Sequence, residues 1–220
     1  MRRSFVLGLL VLLFQGVAFG ETGLKILAIG DSTTAGTPGF RSSAEAPPDG
    51  EGDVESQYAF WMMKEHSEWN IVNRGINGER SDEILARLEE ELETFKPDVV
   101  IILAGVIDLY QGGSAESVKA NLARMYEISR QRKIKIVSCT ILPYNLAQRT
   151  IQARIQEVND WIREYSRDHN LIFCDTFKAA EDPLNSFHLK ESPDGLHPSV
   201  KVYRQMGEAI ASVITTGGVQ

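Results

Sequence analysis

The sequence predicts an α/β fold built on a five-stranded parallel sheet. Two observations carry this. Short apolar strand-like runs alternate with segments of helical periodicity from one end of the chain to the other, a pattern that parallel strands joined by crossover helices produce. The run Val99-Val100-Ile101-Ile102-Leu103 also lacks any polar alternation, as expected of a central strand covered on both faces.

The chain opens with a segment expected to lie outside the fold. Arg2 and Arg3 precede an apolar run over 5–14, and Ala18 and Gly20 stand at the -3 and -1 positions before Glu21; this is the layout of a secretory signal peptide over residues 1–20. The run is too short to span a bilayer comfortably and nothing later resembles a transmembrane segment, so a secreted or periplasmic protein is expected, with no stable membrane insertion after cleavage. No cysteine follows the cut, which argues against a lipid anchor. Residues 21–220 have the length of one domain, enough to bury roughly 70% of the unfolded surface in a single core.

Strands are expected at 24–29, 70–73, 99–104, 134–139 and 171–174. Between and after them run four amphipathic stripes: Ile84, Leu88, Leu92 and Phe95; Val118, Leu122, Met125 and Ile128; Ile151, Ile155, Val158, Ile162 and Tyr165; and Tyr203, Met206, Ile210 and Val213. Each marks a helix with one buried face. Residues 33–53, rich in Gly, Pro, Ser and acidic side chains, read as one long irregular loop of the kind that is usually functional or disordered.

The formal charge is -7, and -9 once Arg2 and Arg3 are removed. With no basic patch to offset it, this disfavours nucleic acid and anionic membranes as partners. Cys139 and Cys174 fall in apolar strand-like segments, where buried free thiols are expected and a disulfide between them stays open. Neither cysteine has metal-ligand spacing, so no metal site is expected.

In an open parallel sheet, ligands bind beyond the carboxyl ends of the strands. That edge collects Asp31 and Ser32 after the first strand, Asn77 and Gly78 after the second, 105–108 after the third, Tyr144 and Asn145 after the fourth, and Asp194 and His197 after the fifth. Gly30-Asp31-Ser32 alone is also an ordinary turn, with Asp31 bonding backbone N–H groups. Asp194-Gly195-Leu196-His197-Pro198 alone is also a helix entry. Together they supply a hydroxyl, an imidazole to take its proton and a carboxylate to orient the imidazole, which are the parts of a serine-nucleophile site. Asp31, Asn77, Asp108, Tyr144 and Asn145 are the accompanying substrate-binding candidates. His66, His169 and His188 have no carboxylate three residues before them, as His197 has in Asp194, and are expected to be structural or solvated.

These residues resemble the SGNH or GDSL hydrolase superfamily of esterases and lipases, over almost the whole of 21–220. The resemblance implies a flavodoxin-like three-layer α/β/α sandwich. It makes Ser32 the nucleophile and an oxyanion donor through its N–H, Gly78 in Asn73-Arg74-Gly75-Ile76-Asn77-Gly78 a second N–H donor, His197 the general base and Asp194 its partner. The third block departs from the family: where Gly-x-Asn-Asp is usual, this chain has Gly105-Val106-Ile107-Asp108, so Ile107 replaces the asparagine whose amide is the third donor. Losing such a donor costs on the order of a hundred- to a thousandfold in turnover. Asn77 and Asn145 are the amides available to serve instead, or Ile107 lines an acyl pocket.

The expected activity is hydrolysis of small or polymer-borne acyl esters, short-chain or acetyl, with no metal or organic cofactor; secretion fits acetyl groups on carbohydrate or cell-wall polymers and lysophospholipid-like molecules equally well. Two other readings compete. A non-catalytic binding protein would explain Ile107, and a flavodoxin-like cofactor binder would use the hydroxyl-rich loop Asp31-Ser32-Thr33-Thr34-Ala35-Gly36 to cradle a phosphate.

Overall fold

Five strands form in chain order: β1 (Lys25–Gly30), β2 (Asn70–Gly75), β3 (Val99–Leu103), β4 (Lys135–Cys139) and β5 (Ile172–Cys174). This is a computed structural model, and it describes residues 23–217; the leader expected at 1–20 lies outside the described residues. The strands make one parallel sheet in the spatial order β2-β1-β3-β4-β5. β1 and β3 occupy its middle, and successive residues of each point to opposite faces. Leu27, Ile29, Val100 and Ile102 face one way, and Ile26, Ala28, Val99, Ile101 and Leu103 the other, all nearly inaccessible to water.

Each amphipathic stripe seats on one of these faces. The helices α3 (Ser81–Phe95), α5 (Ala115–Gln131) and α6 (Arg149–His169) pack on the first, and α2 (Tyr58–Glu65) and α8 (Val200–Thr216) on the second. Ile84, Leu88, Val118, Leu122, Ile155, Val158, Met206 and Ile210 are all fully buried. At about 1.5–3 kcal/mol for each such side chain, these two cores stabilise the sheet and leave its carboxyl edge free to carry strained turns and short helices. The three-layer sandwich is therefore the architecture of the chain.

The helix α2 was not foreshadowed by periodicity, because nearly every position of Tyr-Ala-Phe-Trp-Met-Met is apolar and no stripe stands out; Tyr58, Ala59 and Met62 are the residues it buries. The long irregular segment after Ser32 is also more structured than its composition suggests. It contains α1 (Ser32–Ala35) and a short antiparallel pair, Phe40–Arg41 with Glu51–Gly52. Beyond that pair's first strand it lies along the open edge of β2, where the Ser42 and Ser43 hydroxyls donate to the carbonyls of Gly75 and Asn73. Edge-strand groups are thereby paired. Cys139 and Cys174 are register partners at the ends of β4 and β5 and are buried free thiols, as expected. No helix among the described residues is long and apolar enough to cross a membrane.

Candidate active site

The strand order reverses at β1, whose neighbours are β2 on one side and β3 on the other; in an open parallel sheet the carboxyl ends at such a reversal are where ligands bind. Ser32 stands at that point. β1 ends at Gly30, and Asp31 caps α1 by accepting the Thr33 N–H on its Oδ1 at 2.9 Å. Ser32 is then the first residue of a helical turn, where its N–H has no partner inside the helix. The turn sits hard against the sheet: a Cβ at Gly75 would lie 2.1 Å from the Ala35 nitrogen, so glycine is what admits it. Asn73 fastens it laterally, its amide donating to the carbonyls of Thr34 and Ala35. Burial raises the Asp31 carboxyl to about 7, with the charges of Asp108 and Glu79 adding to the rise and the Thr33 N–H opposing it.

The other half of the site comes from the loop before α8. Asp194 Oδ1 accepts the N–H groups of Leu196 at 2.9 Å and His197 at 2.8 Å, and its Oδ2 lies 2.7 Å from His197 Nδ1. Burial pushes the Asp194 carboxyl up, but the hydrogen bonds from the His197 ring and from these two N–H groups outweigh it and hold the carboxyl down to about 2. An ionised carboxylate only accepts, so Nδ1 carries the ring proton and Nε2 presents its lone pair. His197 Nε2 is 3.0 Å from Ser32 Oγ, both residues being buried. Sequence reading missed two braces of this loop. The Ser192 hydroxyl donates to the His197 carbonyl at 2.6 Å and accepts the Gly195 N–H at 2.8 Å, and the Asn145 N–H donates to the Gly195 carbonyl at 2.7 Å. Nothing in the composition of the loop marks either one.

On the opposite side of Ser32, the turn 76–79 follows β2. Gly30 and Gly75 are register partners and the Ile76 N–H reaches the Gly30 carbonyl at 3.1 Å, which sets this turn beside the strand that leads to Ser32. Gly78 has φ +80°, the left-handed region that favours glycine, and no group among the described residues accepts its N–H.

The remaining candidates divide. Asp108 is buried and spends both oxygens on Ser81, accepting its N–H at 2.8 Å and its hydroxyl at 2.7 Å, so it serves the start of α3. Asn145 accepts the Leu189 N–H on Oδ1 at 2.9 Å. Asn77 is exposed, its N–H held by Glu45 at 3.0 Å. Tyr144 is buried and meets the exposed Tyr110 edge to face. Ile107 lies on α4 (Val106–Tyr110) in the same buried cluster as Val106, Leu109 and Tyr144. His66, His169 and His188 engage local partners: Trp69 stacks on the first and Tyr165 on the second, and the Ser186 carbonyl meets the third. Among the described residues no group of three or more His, Cys, Asp or Glu side chains could hold a metal ion.

A flavodoxin-like sheet order with a hydrogen-bonded serine, histidine and aspartate on its carboxyl edge defines the SGNH class of α/β hydrolase. The profile of the GDSL-like Lipase/Acylhydrolase family matches residues 28–205, and the chain belongs to that family. It is a hydrolase acting on ester bonds. An arylesterase of Vibrio mimicus is 27% identical over 217 residues, covering 92% of this chain and 94% of that protein. An acetylxylan esterase of Geobacillus stearothermophilus is 26% identical over 200 residues, covering 81% and 88%. The crystal structure of a member of the lipolytic protein G-D-S-L family from Veillonella parvula DSM 2008 shares the fold with a TM-score of 0.72 at 18% identity, covering 88% of this chain and 99% of that one.

Proposed function

We propose that the protein is an exported serine esterase of short-chain acyl or acetyl esters, with Ser32 as nucleophile, His197 as general base and then general acid, and Asp194 as the carboxylate that orients and stabilises the imidazole. The carrying observation is the chain of two contacts, 3.0 Å from Ser32 Oγ to His197 Nε2 and 2.7 Å from Nδ1 to Asp194. Ser32 Oγ attacks the ester carbonyl carbon and its proton passes to Nε2. The tetrahedral intermediate collapses, the C–O bond to the alcohol breaks, and the alkoxide takes the proton from Nε2. Water, deprotonated at Nε2, then attacks the acyl-enzyme carbonyl; the C–Oγ bond breaks, Ser32 Oγ takes the proton back from Nε2, and the acid is released. The backbone N–H groups of Ser32 and Gly78 receive the negative oxygen. Ile107 offers no third donor, which lowers turnover below that of a site with three.

The leaving oxygen must take its proton from Nε2, so the alcohol moiety departs along the His197 loop. A groove of about 640 Å³ borders that loop, walled by Pro38, Trp61, Pro193, Pro198 and Tyr203. The arylesterase relative supports aryl esters among the substrates, and the groove, whose lining includes Glu191, Lys201 and Arg204 but none of Ser32, Gly78 or His197, is what a series of alcohols would probe. Export rests on the leader at 1–20.

Hydrolysis of 4-nitrophenyl acetate by the wild type and Ser32→Ala tests the reading. Ser32-dependent release of nitrophenol is expected, and its absence from the wild type would sink the assignment. Methyl, phenyl and naphthyl acetates compared side by side report the groove.

A further inference from the structure

We propose that Arg87 is a positioning residue for the oxyanion-binding turn, holding the Gly78 N–H in place relative to Ser32; the inference rests on the serine esterase reading above. Arg87 lies on α3, behind the turn. Its guanidinium meets the Glu79 carboxylate as a fork, with Nε 2.9 Å from both oxygens and Nη2 2.6 Å from Oε2. Nη2 also donates to the Gly30 carbonyl at 3.3 Å, and Nη1 reaches Glu91 at 3.2 Å. Glu79 directly follows Gly78, and Gly30 ends the strand that delivers Asp31 and Ser32. One planar group therefore binds both segments that present an oxyanion N–H.

The surroundings make this more than an incidental ion pair. Glu91 is 7% exposed, and Arg74 grips it through Nε at 2.8 and 3.0 Å and Nη2 at 2.9 Å, so two arginines and two glutamates sit largely out of water behind one turn. Apolar side chains would cover the same face without the desolvation cost of four charges. What a fork-to-carboxylate contact adds is orientation as well as distance. A Cβ at Gly78 would meet nothing within 4 Å, so no packing on that side of the peptide fixes it, and the fork on Glu79 supplies a restraint. The turn is also held by its own backbone, the Ile76 N–H on the Gly30 carbonyl at 3.1 Å and the Glu79 N–H on the Ile76 carbonyl at 3.3 Å, and by Glu45 on the Asn77 N–H at 3.0 Å. With Ile107 unable to donate, stabilisation of the intermediate falls on two backbone N–H groups, and the placement of each counts for more.

The test compares the wild type, Ser32→Ala, Arg87→Lys and Glu79→Gln on 4-nitrophenyl acetate. Arg87→Lys keeps a cation and loses the fork. Its kcat is expected to fall by about ten- to a hundredfold with KM within about twofold, since the lost interaction acts in the transition state. Phenylboronic acid, which forms a tetrahedral adduct on a nucleophilic serine, should bind more weakly by a similar factor, while inhibition by benzoate stays unchanged. A merely structural role would lower the melting temperature and the active fraction together and would leave the ratio of boronate to benzoate affinity untouched. Wild-type kcat and boronate affinity in Arg87→Lys, with Ser32-dependent turnover intact in the wild type, would overturn the positioning role alone. No Ser32-dependent turnover in the wild type would overturn it together with the esterase reading. If Arg87→Lys does not fold, Glu79→Gln takes its place with the same expected split, and an unaltered kcat there overturns the proposal.

Discussion

His197 Nε2 lies 3.0 Å from Ser32 Oγ, across 165 residues of sequence. Removing the imidazole by His197→Ala leaves Ser32 without a base, and kcat on 4-nitrophenyl acetate should fall by at least about a thousandfold. Asp194→Asn leaves the base in place but allows the wrong tautomer to face Ser32, so a loss on the order of ten-thousandfold is expected. Circular dichroism should show both variants folded; a folded Asp194→Asn with wild-type kcat would remove Asp194 from the mechanism.

Ile107→Asn places an amide at the position that has no donor. One oxyanion donor is worth about a hundred- to a thousandfold, and imperfect placement will recover part of it, so kcat should rise by about tenfold or more. The same change puts a polar group where a side chain 7% exposed belongs to the buried apolar cluster that includes Val106 and Leu109, at a stability cost of about 1–3 kcal/mol. Rates measured beside urea melts separate the two effects. A flat or lower kcat in a folded variant would mean that Ile107 does not mark an empty donor site.

Asp31 gives a pH signature of its own. Its folded-state carboxyl is raised to about 7 from an unfolded value of 3.8, chiefly by burial. The unfolded chain therefore ionises first, and the contribution of this group to stability falls as pH rises from about 4 to 7, then stays level. Asp31→Asn keeps an oxygen for the Thr33 N–H and cannot ionise. It should be more stable than the wild type at pH 8, by up to about 4 kcal/mol, and lose that advantage near pH 4. Asp194, held down to about 2, acts in the opposite sense: its contribution is present above about pH 4 and is lost as pH falls towards 2. Urea melts at pH 3, 4, 6 and 8 would reveal both slopes; a wild type more stable than Asp31→Asn at pH 8 would contradict the first.

Two glycines near Ser32 should fail in different ways. At Gly75 an added Cβ meets the backbone of α1 at 2.1 Å, so Gly75→Ala must displace the helix that carries Ser32, costing about 1–3 kcal/mol or more of stability as well as activity. At Gly78 the space is open and the penalty is conformational, about 1–2 kcal/mol for a left-handed residue with a Cβ. Gly78→Ala should therefore lose only a few degrees of melting temperature while its kcat falls, because the N–H moves. Paired melting and kinetic measurements distinguish them, and equal kcat in Gly78→Ala and the wild type would count against an oxyanion role for that turn.

The parallel sheet was legible because its strands are encoded as short apolar runs, uninterrupted in Val99–Leu103, and its helices as stripes such as Ile84, Leu88 and Leu92, signals that are local. Ser32, Asp194 and His197 were legible for a topological reason: residues that follow parallel strands share one edge, whatever their separation along the chain. By itself the sequence also determined that position 107 carries no donor, since isoleucine has none to give. Tertiary structure alone decided the rest. The stretch after Ser32 became α1 and a cover for the edge of β2 because its hydroxyls found the carbonyls of another strand, and Asp108 was drawn to Ser81 instead of the cleft. In the sequence Arg87 is one charge between Ile84 and Leu88. Only packing brought its guanidinium to Glu79 and Gly30, because a hydrogen bond between distant segments depends on where the whole chain puts them and leaves no periodicity to read.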